Sequence, residues 1–305
     1  MDGASRRGQA GSRVWLPAWH WDRPDRAMPY LLLAPSAFMI AAIVIYPMAV
    51  GFYYGFTNGT LLRPGSFVGL NNYVALIGSV DFRNALTFSF IFAVFNVAGC
   101  YALGLGLALL LNLDLPGRGL FRTALLLPWI IPSIVAIVSW RWMLADERAF
   151  FNALITSFGG SPIFFLSDSR WAVACVIVIK IWRSFPFMML SLLAALQGID
   201  PTLYEAAEMD GASSRQAFVH ITLPQLKNIS IVLCLLMTIW TVNDFDTPWL
   251  LTQGGPASAT ENLILLAYRY TFGRNNVGMG SATSFFTLLI LMVLVVVLLR
   301  RRTET

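Results

Sequence analysis

Residues 84–111 read NALTFSFIFAVFNVAGCYALGLGLALLL, a run of 28 residues without an Asp, Glu, Lys, Arg or His. A helix rises ~1.5 Å per residue and the hydrocarbon core of a bilayer is ~30 Å thick, so about 20 apolar residues cross it. The whole chain has the same bias, since 57% of its 305 residues are hydrophobic and only 12% are charged. Soluble domains average about 45–50% and about 25%. The sequence therefore predicts a polytopic membrane protein and excludes a soluble enzyme and a disordered chain.

Five other runs share this character. Because unpaired backbone polar groups are not tolerated in lipid, each run is predicted to be a helix, and the fold class is all-α integral membrane. The six predicted transmembrane helices cover residues 29–53, 84–111, 123–140, 171–196, 228–247 and 277–299. Prolines inside these spans are expected to mark kinks, and they are Pro35, Pro47, Pro128, Pro132 and Pro186.

Six spans place both ends of the chain on one side, and the basic residues indicate which side. Of the 21 Lys and Arg residues, 12 lie in one set of segments, 1–28, 112–122, 197–227 and 300–305. Seven lie in the opposite segments, 54–83, 141–170 and 248–276. The positive-inside rule therefore predicts cytoplasmic termini. We expect a cytoplasmic arm over 1–28, a six-helix domain over 29–299 and a cytoplasmic tail over 300–305. The arm is either a simple tail or a stretch lying on the lipid surface.

Several kinds of site are excluded by what the chain lacks. Its basic residues cluster at the ends of apolar runs, which argues against a nucleic-acid partner. All three cysteines lie inside apolar runs and there are only two histidines, so no metal site is predicted. A P-loop needs a Gly-Lys pair, but Lys180 follows Ile179 and Lys227 follows Leu226. The chain is therefore predicted to have no catalytic residues, and no nucleotide site of its own.

The cytoplasmic segment 198–226 is too well organised for a simple linker. Asp200 followed by Pro201 predicts the start of a helix, and Gly211 can end that helix in a left-handed conformation. Ser213 or Ser214 can cap a second short helix, which Pro224 is expected to stop. Two short helices at an angle predict a compact knob suited to a groove in another protein.

This segment resembles the signature loop of bacterial ABC importer permeases. The matching positions are Glu205-Ala206-Ala207, Gly211 six residues after the glutamate, and Ile221-x-Leu223-Pro224. The resemblance implies a type I ABC importer permease fold, a loop that docks on a separate ATPase subunit, and ATP-Mg bound by that subunit. Glu205 would pair with a basic group there, and Gly211 would permit the turn. The implied coupling residues are Tyr204, Glu205, Ala206, Ala207, Asp210, Gly211, Ala212, Leu223 and Pro224.

A second resemblance narrows the family to carbohydrate importers. Leu251-Thr-Gln-Gly-Gly-Pro256 and Trp182-x-x-x-Pro186-Phe-Met-Met are similar to segments of the maltose and glycerol-phosphate permease group. The resemblance implies a sugar substrate and the inner membrane of a bacterium. It also implies three kinds of partner: a second homologous permease in a heterodimer, two ATPase subunits, and an extracytoplasmic solute-binding protein.

Ionisable residues inside spans are candidates for a functional site. Lys180 and Arg183 are three residues apart and so share a helix face. They either pair with Asp244 or Asp246 across the bundle, or line the sugar site. The resemblance implies a substrate site made of Lys180, Arg183, Ser184, Phe187, Thr241, Asn243 and Asp244. Sugar recognition also favours an aromatic platform, which Trp240 could supply. Two cations on one face would favour a sugar that carries a carboxylate, sulfonate or phosphate group.

Two other classes of protein remain to be weighed. An ion-driven secondary transporter would also carry ionisable residues in its spans, but it would not need a docking loop of this kind. A membrane-embedded enzyme would need a catalytic cluster, and no candidate appears apart from Asp244 and Asp246. The sequence therefore predicts a permease subunit that is not itself an enzyme, with the secondary transporter as the alternative.

Overall fold

The computed structural model describes residues 28–114 and 116–303, and every regular element in that part of the chain is a helix. The predicted N-terminal arm therefore lies outside the described residues, apart from Met28. Numbered in chain order, the helices are α1 Met28–Tyr54, α2 Asn71–Gly78, α3 Val80–Asn112, α4 Arg118–Ile130, α5 Ser133–Leu144, α6 Phe150–Ser157, α7 Ser169–Gln197, α8 Pro201–Met209, α9 Ser214–Val242, α10 Asp246–Thr252, α11 Leu263–Tyr268 and α12 Val277–Thr303.

The prediction of six membrane-spanning segments is confirmed, with one span broken. Helices α1, α3, α7, α9 and α12 are each long and apolar enough to cross a bilayer, and the bent pair α4 and α5 makes a sixth span when the pair is counted as one. Helix α12 continues to Thr303, through most of the predicted tail, while residues 304–305 lie outside the described part.

The third predicted span is not one helix, and this corrects the range 123–140. Helices α4 and α5 meet at an angle of 88°. At the break, Ile131 adopts an extended conformation with ψ 131°, and Pro132 follows it. A proline disfavours the helical conformation of the residue before it and has no N–H to continue the ladder. By contrast, Pro128 and Pro186 remain inside continuous helices.

The prediction that Pro224 stops a short helix is wrong. Helix α9 runs through it without a break, from Ser214 into the fifth span. A π turn at Phe218–Thr222 comes just before the proline, and the Leu223 N–H bonds to Phe218 O, five residues back. The wider turn makes room for a ring that would otherwise meet the preceding turn. Helix α1 uses the same device, with a π turn at Ala41–Ile45 before Pro47.

The described chain divides into two compact units at Val50, and the part of α1 before that residue forms a unit by itself. The second unit is organised around the contact between α3 and α7. Gly104 of α3 lies directly against Met188 and Met189 of α7, which are fully buried. Small residues allow membrane helices to approach closely where no hydrophobic force drives them together. This tight contact fixes α7, which carries Lys180 and Arg183.

Candidate functional site

The polar part of the site is built around an interruption of the predicted fifth span, and this corrects the continuous helix expected over 228–247. Helix α9 ends at Val242, α10 begins at Asp246, and Asp244 lies in the gap. The Asn262 Nδ2 atom donates to the Asp244 carbonyl oxygen at 2.7 Å, and the Thr247 N–H donates to Asp244 Oδ1 at 3.4 Å. Asp244 thus satisfies backbone groups that the interruption would leave unpaired, and holds α10 against the segment before α11.

Lys180 forms an ion pair with Asp244. Its Nζ lies 3.0 Å from Asp244 Oδ2, and both residues are only 9% exposed. The ammonium and carboxylate groups are in contact as opposite charges and do not form a directed hydrogen bond, because Oδ2 has no hydrogen-bond partner among the described residues. Of the two alternatives for Lys180, the structure shows the pair with Asp244. Asp246 instead accepts a hydrogen bond of 2.8 Å from the Ser133 hydroxyl of α5.

Arg183 has a different environment from Lys180, although it lies one turn further along α7. Its Nη1 donates to the Thr247 hydroxyl at 3.3 Å, and the side chain is half-buried. Within residues 28–114 and 116–303, no carboxylate lies within 4.0 Å of its guanidinium. The guanidinium therefore retains N–H donors and an uncompensated positive charge.

Three aromatic rings from three different spans form a partly open surface. Phe187 of α7 lies between Trp240 of α9, with ring centroids 4.8 Å apart, and Trp129 of α4, at 6.2 Å. The two tryptophans are 46% and 52% exposed, respectively. Asn243, at the end of α9, is also exposed. Aromatic faces beside hydrogen-bonding side chains are typical of small-molecule sites.

Thr241 differs from Trp240 and Asn243, the exposed residues predicted with it, because its side chain points into the protein interior. It is fully buried, accepts a 2.7 Å hydrogen bond from Asn96 Nδ2 of α3, and donates to the Met237 carbonyl oxygen at 2.6 Å. Ser184 is half-buried on α7. For both residues, contact with a ligand stays a prediction.

Sequence reasoning missed Trp129, Ser133, Thr247 and Asn262. Trp129 could have been suspected, as a tryptophan beside a proline in a span. No sequence pattern indicates Thr247, because its contacts depend on how α10 folds back after the interruption.

Three local features predicted for the 200–224 knob are confirmed. Asp200 caps α8 by accepting from the Thr202 N–H at 2.9 Å, and this hydrogen bond lowers the pKa of its carboxyl group. Gly211 has φ +76°, the left-handed conformation that glycine adopts without strain. Ser213 and Gln216 form a capping box at the start of α9.

The knob is held to the membrane helix that follows it and exposes its acidic residues. The Tyr204 and Thr222 hydroxyls lie 2.9 Å apart, which ties α8 to the π turn of α9. Met209 is 88% exposed, an unusual position for a large apolar side chain. The other predicted coupling residues are exposed at Glu205, Ala206, Asp210, Gly211 and Pro224, and half-buried at Ala207, Ala212 and Leu223.

Comparison with known proteins relates the chain to membrane transport components. Residues 100–302 match the family described as binding-protein-dependent transport system inner membrane component. The chain is 35% identical over 271 residues to the sulfoquinovosyl glycerol transport system permease protein SmoG of Agrobacterium fabrum, which covers 88% of each chain. It is also 35% identical over 264 residues to the trehalose/maltose transport system permease protein MalF of Thermococcus litoralis, covering 86% of this chain and 89% of that one.

A solved structure shows the same fold. One chain of a bacterial ABC transporter involved in the import of the acidic polysaccharide alginate superposes with a TM-score of 0.81. The alignment covers 93% of this chain and 98% of that one, at 22% identity. The predicted type I ABC importer permease fold is thereby confirmed.

Proposed function

Because the chain belongs to the family of binding-protein-dependent transport system inner membrane components, we propose that it imports a sugar or sugar derivative as the permease subunit of an ATP-driven complex. The names of the two relatives above, both for sugar transport, support the substrate class. The chain would act with a second permease, two ATPase subunits that bind ATP-Mg, and an extracytoplasmic solute-binding protein. It would lie in the bacterial inner membrane with both termini in the cytoplasm, and contribute transport rather than catalysis.

The single observation that carries the ATP-driven mechanism is the form of the 200–224 knob. Capping at Asp200 and Ser213 fixes the starts of α8 and α9, and the hydroxyl contact of Tyr204 with Thr222 ties α8 to α9. An exposed, preorganised projection can transmit force, whereas a flexible loop would absorb it. Because α9 is continuous from the knob to the interruption at Asp244, movement of the knob would be carried directly to the proposed substrate site. This arrangement supports alternating access driven from the cytoplasm.

Within the membrane, we assign sugar contact to the partly open aromatic surface of Phe187, Trp240 and Trp129 and to Asn243. Arg183, half-buried and without a carboxylate partner in the described part of the chain, supports a substrate that carries an anionic group. Arginine matches carboxylate, sulfonate and phosphate geometry through paired N–H donors.

The coupling role can be tested in proteoliposomes that hold the complete complex, its binding protein and internal ATP. Glu205→Ala should leave membrane insertion and complex assembly unchanged and abolish ATP-dependent uptake of the sugar that the binding protein captures. Glu208→Ala is the matched control, because it removes the same charge from an exposed position on α8 outside the predicted coupling set. Wild-type uptake by Glu205→Ala would refute the docking role. Uptake that persists without ATP and collapses with an ionophore would favour the secondary transporter instead.

A further inference from the structure

Lys180, Asp244, Thr247 and Arg183 form a closed ring of contacts between α7 and the interrupted fifth span. Lys180 Nζ contacts Asp244 Oδ2 at 3.0 Å, and Asp244 Oδ1 accepts from the Thr247 N–H at 3.4 Å. The Thr247 hydroxyl accepts from Arg183 Nη1 at 3.3 Å, which returns the path to α7. One residue, Thr247, therefore touches both the carboxylate and the second cation. Thr247 thereby links Arg183 to a carboxylate with which Arg183 does not pair.

The two cations in the ring differ in access and in net charge. Lys180 and Asp244 neutralise each other, and both are nine-tenths buried. Asp244 Oδ2 is sealed from solvent, so a substrate cannot reach it in this conformation. Arg183 is half-buried and uses a single donor on Thr247. The four residues together carry one net positive charge. Arg183 carries it, and its side chain is the more accessible of the two cations.

We propose that Lys180 is a positioning residue that keeps Arg183 free for the substrate by occupying Asp244, and that Arg183 alone binds an anionic group of the transported sugar. This inference rests on the sugar-import function proposed above. A buried carboxylate without a partner is strongly unfavourable, and a nearby cation that could reach it would pair with it. If Lys180 lost its charge, Asp244 would attract Arg183, because Thr247 already contacts both of these side chains. The site would then be electrically neutral although Arg183 was still present.

The two roles for Lys180 make opposite predictions for a double variant. Lys180→Met alone should remove anion binding as completely as Arg183→Gln does, because Arg183 is captured by Asp244. Adding Asp244→Asn should restore anion binding. The amide oxygen of the new side chain can still accept from the Thr247 N–H, and no charge remains to capture Arg183. If Lys180 itself contacted the anion, the double variant would remain as defective as Lys180→Met.

The probes are sodium glucuronate and glucose, which differ by one carboxylate. Binding would be measured as the concentration-dependent thermal stabilisation of the complete purified complex, a readout that requires neither ATP hydrolysis nor uptake. We expect the wild-type protein to bind glucuronate more tightly than glucose. Arg183→Gln and Lys180→Met should weaken glucuronate binding by about tenfold or more without changing glucose binding, as the loss of a charge-assisted hydrogen bond implies. The double variant should return to within about threefold of the wild type.

Each result bears on the inference. A wild-type protein that does not distinguish glucuronate from glucose would overturn the assignment of Arg183. A double variant that folds and remains unable to distinguish them would overturn the positioning role of Lys180. If Lys180→Met fails to fold, the double variant still decides, because it contains no unpaired buried charge. Failure of the proposed import function would appear elsewhere, as absent ATP-dependent uptake by a wild-type complex that binds glucuronate.

Discussion

The contact between α3 and α7 makes a sharp prediction, because two glycines on one helix have opposite surroundings. A Cβ added at Gly104 would lie 2.8 Å from Met188 Cγ and 2.9 Å from the Met189 backbone nitrogen. A Cβ added at Gly106, two residues further along α3, would meet nothing within 4 Å. The perturbation is the same substitution, Gly→Ala, at each position.

The structure also sets the size of the effect. Replacing glycine by alanine inside a helix gains about 0.8–1 kcal/mol in propensity, and Gly106→Ala should show that gain or no change. At Gly104 the methyl group meets a backbone atom, which cannot rotate away, so the two helices must separate. Overpacking of this kind costs about 1–3 kcal/mol, which exceeds the gain over most of that range. We expect the two variants to differ in the free energy of unfolding by about 1–3 kcal/mol, with Gly104→Ala the less stable.

Thermal unfolding of the purified complex, followed by the loss of monodisperse protein in detergent, measures the difference. At about 2–4 °C per kcal/mol for a chain of this size class, the midpoints should be separated by several degrees. Gly104→Leu should enlarge the loss, whereas Gly106→Leu should remain close to the wild type. Equal midpoints for the two alanine variants would refute the reasoning, because they would show that α7 yields to the added methyl group without cost.

Two further predictions concern the 200–224 knob and the segment between α10 and α11. Tyr204→Phe removes the hydroxyl that contacts Thr222 at 2.9 Å, so ATPase stimulation by loaded binding protein should fall about fivefold, equivalent to about 1 kcal/mol. Thr222→Val should have the same effect. A double variant that is worse than either single variant would contradict the pairing. Burial raises the pKa of Glu261 above its ordinary value of 4.5, although Arg269 lies 3.0 Å away and opposes the shift. The folded protein therefore retains this proton more tightly than the unfolded chain, and the contribution of Glu261 to stability falls as the pH rises from 4.5 through the raised pKa. Glu261→Gln should flatten the decline of the unfolding midpoint with pH over that range, and an unchanged slope would show that another group is responsible.

The 200–224 knob shows which features the local sequence predicts. The residue types alone predict the roles of Asp200 and Gly211, and they leave the second cap to Ser213 or Ser214. Asp200 and Gly211 have the predicted roles, and the cap is Ser213. These roles depend on hydrogen bonds to residues two to five positions away, so the local sequence contains all the necessary information. Pro224 is the exception, because the π turn before it widens the helix and removes the clash that would have ended it.

The candidate substrate site was predicted as a list of residues and not as an arrangement. The sequence placed Lys180 and Arg183 on one helix face and left open whether they meet a carboxylate or a ligand. Only the structure separates them, pairing Lys180 with Asp244 and joining Arg183 to Thr247. The choice depends on the rotation of α7 relative to an interruption in a helix 64 residues away, which local patterns do not encode.

The sequence by itself determined that this chain is an all-helical membrane protein, because bilayer thickness and the need to pair every backbone group leave long apolar helices as the solution. It also determined where the 200–224 knob begins and turns. The tertiary structure alone decided the 88° bend in the third span, the gap at Asp244 and which of two neighbouring cations is neutralised. Long-range packing sets these features, since a charge inside the bilayer takes its partner from whichever helix is brought within reach.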